Sequence, residues 1–347
     1  MKNCIRTFFA FVCILFFSGM LPAQKNQSIG LLKKFSIASS GGWDYLAISP
    51  VHDWLYVSHA TQVNILNKTT GDSVGVILNT TGVHGIAFDP ANKKGFTSNG
   101  RLNNVTVFDI NTNEILAQIP TGINPDAIFL EPFSKKIITC NGRSKTLSII
   151  DPATNQLVDS IFVGGKPETA VSDGAGNLWV NVEDKHEIVR INLRTLQVTH
   201  HYSLAPAESP TGLAYDPQSK RLFAGCDKTL VVVDALEGNI IAQLPIGEGC
   251  DGVAFDPALR MIYTSNGAAG TLSIIQQIDA NKYQLVDNLP SQKSAKTITL
   301  DPVTHWVYLP AAELEPLAPG ETGRPKVKPG TFQILVFGSN EPVKKTK

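Results

Sequence analysis

Two sets of polar residues recur along the chain at fixed offsets from a repeated turn. The first set lies six residues before each turn and mixes carboxylates with basic side chains: Asp44, His84, Asp126, Glu168, Thr211, Asp251 and Lys296. If these positions meet in space, His84 is flanked by Asp44 and Asp126. Carboxylates brought that close have raised pKa values, so they suit general acid-base chemistry or a polar ligand. A purely structural role is also open, because Asp at such a point can hydrogen-bond the backbone of its own turn.

A divalent cation is the one cofactor that this first set suggests. Carboxylate oxygens suit Ca²⁺ or Mg²⁺, and an added histidine suits a transition metal. The candidate metal ligands are Asp126, Glu168 and His84.

The second set lies nine residues after each turn, with one position shifted by a deletion. Its members are His59, Asn99, Asn141, Val182, Cys226, Asn266 and Ala311. The histidine and the three asparagines are candidate ligand-binding residues, but Asn-Gly pairs are also common turn formers. Arg101 and Arg143 follow two of these pairs and are candidates to bind an anion, unless they are solvated loop charges.

The turns that define these sets mark a repeat of about forty residues. They fall at Pro50, Pro90, Pro132, Gly174, Pro217, Pro257 and Pro302. Within each unit the apolar residues alternate with period two, and the breaks are rich in Gly, Pro and Asn, which predicts four short strands. One such sheet cannot bury both of its faces alone, whereas seven arranged radially stack face on face.

The sequence therefore predicts an all-β, seven-bladed β-propeller over residues 31–338. The last unit ends after the strand Phe332–Phe337 and lacks a fourth strand, while Lys34–Ala38 belongs to no unit. We expect this N-terminal strand to complete the last blade and close the ring. In each blade, the entry to the first strand and the loop between the second and third strands share one end, so both polar sets should crowd one mouth of the channel.

The strand motifs carry a family resemblance. The segments Leu55–His59, Gly95–Gly100 and Ile262–Gly267 resemble the Tyr-Val-Thr-Asn repeat of the YVTN propellers. The closing segment, with Tyr308–Glu313 and Pro329–Phe332, resembles exported bacterial YncE-like proteins. The resemblance covers nearly all of the predicted mature chain and implies the propeller fold. It assigns no chemistry, because propellers host many unrelated activities.

The sequence pattern of the first 23 residues indicates that the protein is exported. Lys2 and Arg6 precede an apolar run that ends before small residues, which is typical of a signal peptide cut near Ala23, with an uncleaved N-terminal anchor as the alternative. We expect a periplasmic or secreted protein with no membrane span after cleavage. Loss of the two basic residues leaves a formal charge of about −2 on the mature chain, from 30 basic and 30 acidic residues in the whole. This balance argues against a nucleic-acid partner.

The remaining features allow narrower predictions. Three cysteines follow the signal segment, and Cys226 and Cys250 are candidates for a disulfide between adjacent blades, with free thiols as the alternative. A Pro-rich insert, residues 313–328, arises at the mouth and is either a lid or a loop with no task. Residues 339–347 form a charged tail, and we expect a monomer.

Two functions compete at this point. The first is a non-catalytic binding scaffold that recognises a small polar ligand or a protein partner at the acidic mouth. The second, by fold analogy with lactone-hydrolysing propellers, is a metal-assisted hydrolase in which the cation polarises a carbonyl or activates water.

Overall fold

The computed structural model describes residues 28–340 except 318, 319, 321 and 324, so the predicted signal peptide and most of the charged tail lie outside the described residues. It contains seven four-stranded antiparallel sheets arranged as the blades of a ring. The predicted seven-bladed β-propeller is confirmed. No helix in the described part of the chain is long and apolar enough to span a membrane.

The first three blades are each built from four consecutive strands. In blade 1 these are β2 (Trp43–Ile48), β3 (Trp54–His59), β4 (Gln62–Asn67) and β5 (Ser73–Ile77); β1 is introduced with blade 7. Blade 2 contains β6 (Val83–Asp89), β7 (Lys94–Asn99), β8 (Asn104–Asp109) and β9 (Ile115–Pro120). Blade 3 contains β10 (Pro125–Glu131), β11 (Lys136–Asn141), β12 (Thr146–Asp151) and β13 (Gln156–Phe162).

The next three blades repeat the same order. Blade 4 contains β14 (Pro167–Ser172), β15 (Asn177–Val182), β16 (Glu187–Asn192) and β17 (Gln197–Ser203). Blade 5 contains β18 (Leu213–Asp216), β19 (Arg221–Cys226), β20 (Thr229–Asp234) and β21 (Ile240–Pro245). Blade 6 contains β22 (Cys250–Asp256), β23 (Met261–Asn266), β24 (Thr271–Gln277) and β25 (Tyr283–Pro290). Short 3₁₀ helices follow β6 at Pro90–Asn92 and β15 at Glu183–Lys185.

Blade 7 joins the two ends of the chain. It contains β26 (Thr299–Asp301), β27 (Trp306–Ala311), β28 (Gln333–Gly338) and, as its outer strand, β1 (Gly30–Ser36). Strand β1 pairs antiparallel with β28. The predicted closure by an N-terminal strand is therefore confirmed, although the strand begins four residues earlier than the sequence pattern indicated.

Large second-strand side chains fill the space between blades. Tyr56, Phe96, Trp179, Phe223 and Tyr308 are fully buried. Some also bond the next blade: Tyr56 donates its hydroxyl proton to Asn113 Oδ1 at 2.7 Å, and Trp179 Nε1 donates to the Ala235 carbonyl at 2.8 Å. Such rings contribute both apolar burial and register between neighbouring sheets.

The turn carboxylates at the opposite end from the mouth fix the turns and also bond the next blade. Asp256 Oδ1, for example, accepts the backbone N–H groups of Ala258 and Leu259. Its other oxygen, Oδ2, lies 2.6 Å from Nδ1 of His305 in blade 7. Asp301 of blade 7 likewise lies 2.9 Å from Lys68 Nζ of blade 1, across the seam where the ring closes. The sequence predicts turns at these positions but not these links between blades.

A cavity of about 760 Å³ opens at this opposite end, between blades 7 and 1. Its lining combines residues of the inner strands, such as Leu46, Ile48 and Leu300, with polar residues of the turns, such as Asp53 and Asp301.

Candidate functional site

The first polar set forms a ring at the mouth because the inner strands bulge there. In β2, β6, β10, β14 and β22 the pairing with the second strand shifts register at the position of the ring residue. A bulge leaves backbone groups unpaired and re-aims the side chains it contains. The five bulged members of the ring are Asp44, His84, Asp126, Glu168 and Asp251.

Polar side chains of the second strands hold the backbone of the ring in place. Ser98 Oγ accepts the Gly85 N–H at 2.8 Å and donates to the carbonyl of Asp126 in the next blade. Ser265 Oγ donates to the carbonyl of Lys296 at 2.6 Å, and Asn181 Nδ2 donates to that of Thr211 at 3.1 Å. Each donor stands one residue before a member of the second set. A Ser or Asn that recurs at this position was therefore the sequence feature that could have predicted these anchors.

The Ser98→Ala variant should lower the free energy of unfolding by about 1–3 kcal/mol, because it leaves a buried N–H and a buried carbonyl unpaired. Urea denaturation of the mature protein measures this change. Ser36→Ala, on an exposed strand position, is the control and should change stability by less than about 0.5 kcal/mol. Equal stability of both variants would contradict the anchoring role of Ser98.

Asp44 is the centre of a chain of charges in the ring. Its Oδ2 lies 2.5 Å from His84 Nδ1, and its Oδ1 lies 3.2 Å from Lys296 Nζ. Lys296 Nζ also lies 3.2 Å from Asp251 Oδ2. Burial alone would raise the pKa of Asp44, but Lys296 and His84 together hold that pKa below its ordinary value. Burial opposes protonation of His84, yet its bond to Asp44 and the charge of Asp126 raise its pKa.

Asp126 is the ring carboxylate whose negative charge is least balanced by nearby positive charges and hydrogen-bond donors. Its Oδ1 lies 3.8 Å from His84 Nδ1, and its side chain is 15% exposed. Within the described residues, no hydrogen bond to this carboxylate is present. Burial and the charge of Asp44 raise the pKa of Asp126 to about 6. An ionised carboxylate here is therefore short of positive charge.

Glu168 lies in a second ion-pair group beside Asp126. Lys166 Nζ lies 2.5 Å from Glu168 Oε1 and also contacts Glu183, the residue that stands where three other units have Gly. Burial and the charge of Asp126 raise the pKa of Glu168 to about 8, although Lys166 opposes the shift. The sequence pattern missed Lys166, which lies two residues before the ring position.

Tyr45 is a further residue that the sequence analysis missed. It lies in the bulge of β2 and packs across the channel against the apolar cluster of blades 3 and 4, which includes Ala127 and Ala170. Burial and the nearby charges of Asp126 and Asp44 raise the pKa of its hydroxyl far above the ordinary value. The available signal was a size anomaly, because the equivalent residues in the other units are all small: Gly85, Ala127, Thr169, Gly212, Gly252 and Thr297.

The second polar set does not face the channel, contrary to the sequence-based expectation. All seven residues end a second strand and are fully buried. Asn99 Nδ2 donates to Thr106 Oγ1 at 2.8 Å, and Asn266 Nδ2 donates to Ser273 Oγ at 2.8 Å. Asn141 donates in the same way to Ser148 at 2.9 Å. These amides cross-link two strands of one blade, so the ligand role predicted for the asparagines finds no support.

His59 is also enclosed. Its Nδ1 lies 2.5 Å from Ser39 Oγ, its Nε2 lies 3.1 Å from the Gly41 carbonyl, and its ring stacks on Phe332 at 4.1 Å. Burial lowers the pKa of this imidazole. His59 therefore joins the N-terminal segment to blades 1 and 7 and does not contribute to the mouth.

The two candidate anion-binding arginines remain at the rim. Arg101 and Arg143 are exposed in the loops after β7 and β11, at the mouth end of their blades. Neither forms an ion pair with any residue in the described part of the chain.

The candidate metal ligands are grouped differently from the prediction. Ligand atoms of Asp44, His84 and Asp126 all lie within 4.8 Å of one another. Glu168, which was predicted in place of Asp44, is paired with Lys166. Two carboxylates and a histidine fit a divalent cation in chemistry, but His84 and Asp44 already bond each other directly.

The three cysteines of the described residues are buried free thiols. The candidate bridge between Cys226 and Cys250 is thus not formed in this structure. Each sulfur instead approaches a carbonyl of its own strand, Ala224 at 3.9 Å and Gly252 at 3.7 Å respectively.

The Pro-rich insert begins with a short paired stem. Leu314 and Val327 form an isolated antiparallel bridge, and Lys328 Nζ lies 2.7 Å from Glu313 Oε2. The stem packs through Val327 against the apolar cluster that contains Phe332. No described contact joins the insert to the charged ring, so its predicted role as a lid stays a prediction.

Comparisons with known proteins support the fold alone. The chain is similar to a solved structure of hydrazine synthase from Kuenenia stuttgartiensis, with a TM-score of 0.68 and 16% sequence identity. The match covers 76% of this chain and 91% of that chain. No family model matches the chain, and no curated protein matches it significantly. Membership of the YVTN/YncE-like group therefore stays a prediction.

Proposed function

We propose that the chain is an exported, non-catalytic binding scaffold whose acidic mouth takes a small polar ligand with a positively charged group. The observation that carries this proposal is Asp126, a mostly buried carboxylate with a raised pKa and no hydrogen-bond donor among the described residues. An ammonium group in the mouth would supply both the donor and the missing charge. The hydroxyl and amide anchors behind the ring hold the carboxylates in place before a ligand arrives, which reduces the cost of binding.

The proposed export and the proposed small size of the ligand are supported by different observations. The proposed periplasmic or secreted location follows from the N-terminal pattern of the sequence. A small ligand is favoured over a protein partner because the charged groups lie within the ring of inner strands, with Glu168 6% exposed and Asp44 9% exposed.

Calorimetric titration of the mature protein with methylammonium chloride tests this proposal. We expect one saturable site at constant ionic strength, with sodium chloride as the matched control. A response no different from that of sodium chloride would overturn the proposal.

The affinity for methylammonium should fall as the pH is lowered from about 8 to 5. Protonation of Glu168 near pH 8 and of Asp126 near pH 6 removes negative charge from the mouth, and the raised pKa of His84 keeps this imidazole positively charged at pH 5. The ligand amine, like that of lysine, stays protonated to about pH 10, so it does not contribute to the change. We expect a loss of about tenfold or more, since each pKa unit corresponds to about 1.36 kcal/mol. Equal affinity at both pH values would contradict the assignment.

The cluster of Asp44, His84 and Asp126 favours one second candidate, a metal-assisted hydrolase. Three protein ligands with an open position can activate water or polarise a carbonyl, as a lactonase would require. Elemental analysis of the mature protein, together with a His84→Ala variant, distinguishes the two functions. A stoichiometric metal that is lost in the variant would favour the hydrolase and justify a screen of lactones.

A further inference from the structure

We propose that Tyr45 closes the central channel beneath the acidic ring and limits the ligand to a short cation that enters from the mouth alone. This inference rests on the proposed function of the mouth and adds the residue that determines ligand length.

The repeat explains why Tyr45 points into the channel. At the equivalent glycines of blades 2 and 5, the next blade approaches so closely that a larger side chain has no room. A Cβ on Gly212 would lie 2.5 Å from the backbone nitrogen of Val253, and one on Gly85 would lie 2.8 Å from Ile128 Cγ2. A tyrosine cannot occupy such a slot. Its side chain instead crosses to the apolar cluster of blades 3 and 4.

The position of Tyr45 separates two chambers of different character. Above it lies the charged ring, four of whose carboxylates are close enough to raise the pKa of its hydroxyl. Below it, Leu46 and Ile48 continue the same strand and line the cavity at the opposite end, where apolar residues alternate with polar residues of the turns. A ligand that extends from the ring toward that cavity would therefore meet the tyrosine ring.

Removal of the tyrosine ring should join the chambers and change which cations bind. The test compares methylammonium with n-hexylammonium by calorimetry in the wild type, Tyr45→Phe and Tyr45→Gly. Each methylene group buried against apolar walls is worth about fourfold in affinity. We expect the wild type and Tyr45→Phe to bind the hexyl ligand no more tightly than the methyl ligand. Tyr45→Gly should bind the hexyl ligand at least tenfold more tightly.

Two results would overturn the role of Tyr45. One is a wild-type protein that already binds n-hexylammonium more tightly than methylammonium. The other is a folded Tyr45→Gly protein that binds the two ligands with equal affinity. Glycine is the residue found at three equivalent positions, and Tyr45→Ala, the residue of blade 3, replaces it if that variant does not fold.

A ligand-free measurement separates this inference from the proposed function. If methylammonium does not bind the wild type, the proposed function fails. Closure of the channel can still be tested, because ¹³C NMR measures the pKa of the Asp126 carboxyl group without ligand. Water that enters through the opened channel should lower the pKa of Asp126 in Tyr45→Gly by more than half a unit relative to wild type and Tyr45→Phe. An unchanged pKa would show that Tyr45 does not close the channel.

Discussion

Replacement of Lys68 by methionine should lower the free energy of unfolding by about 3–5 kcal/mol, because it leaves a buried carboxylate without its counter-ion. Lys68 Nζ lies 2.9 Å from Asp301 Oδ2, and the two side chains are 9% and 1% exposed. This pair joins blade 7 to blade 1, and the Tyr308 hydroxyl donates to the Lys68 carbonyl at 3.0 Å beside it. Burial alone would raise the pKa of Asp301, but Lys68, the Val303 N–H and the Thr304 hydroxyl lower it.

Chemical denaturation of the mature protein measures this loss. Lys328→Met is the matched control, because its partner Glu313 is exposed and such pairs contribute about 0–1 kcal/mol. The double variant Lys68→Met with Asp301→Asn should recover part of the stability, since the buried charge is then absent. A Lys68→Met protein as stable as the control would show that the seam does not depend on this pair.

Replacement of Asp126 by asparagine should reduce methylammonium affinity by about thirtyfold or more, because loss of one member of a buried charge pair costs about 2–5 kcal/mol. Asparagine keeps the size of the side chain and removes its charge. Asp251→Asn is the control, because Lys296 already lies 3.2 Å from that carboxylate. We expect the control to lose much less affinity.

The same variant separates binding from structure. Because burial and Asp44 raise the pKa of Asp126, its ionised form opposes folding at neutral pH, and Asp126→Asn should be at least as stable as the wild type. A variant that loses stability in proportion to its loss of binding would indicate a structural role for Asp126.

The constant repeat made the ring predictable. Counting back from each turn found the positions of Asp44, His84 and Asp126, because strands of equal length place equivalent residues at equal depth. The same reasoning found the closing strand, since blade 7 lacked a partner that residues near the N-terminus could supply. The structure confirms that closure, with a register shift between Leu31 and Lys33 in the pairing.

Side-chain direction was not predictable in the same way. Asn99 and Asn141 lie at the mouth end of their blades, yet their amides bond within the blade because a strand end still obeys the alternation of faces. Tyr45 was missed because its importance lies in its size relative to Gly85 and Gly252, and a search for ionisable groups does not detect that contrast. The partners in each ion pair were also not predictable, because they depend on the three-dimensional arrangement. In the structure Lys166 pairs with Glu168, and His84 pairs with Asp44.

A ¹³C NMR titration of the carboxyl groups of Asp126 and Glu168, with and without methylammonium, tests the central claim most directly. Without ligand, both groups should titrate well above their ordinary range, with Asp126 near a pKa of about 6 and Glu168 near a pKa of about 8. Saturating methylammonium should lower both pKa values, because the bound cation stabilises the ionised carboxylates. Ordinary pKa values that the cation leaves unchanged would contradict a charge-deficient mouth and the binding function proposed for it.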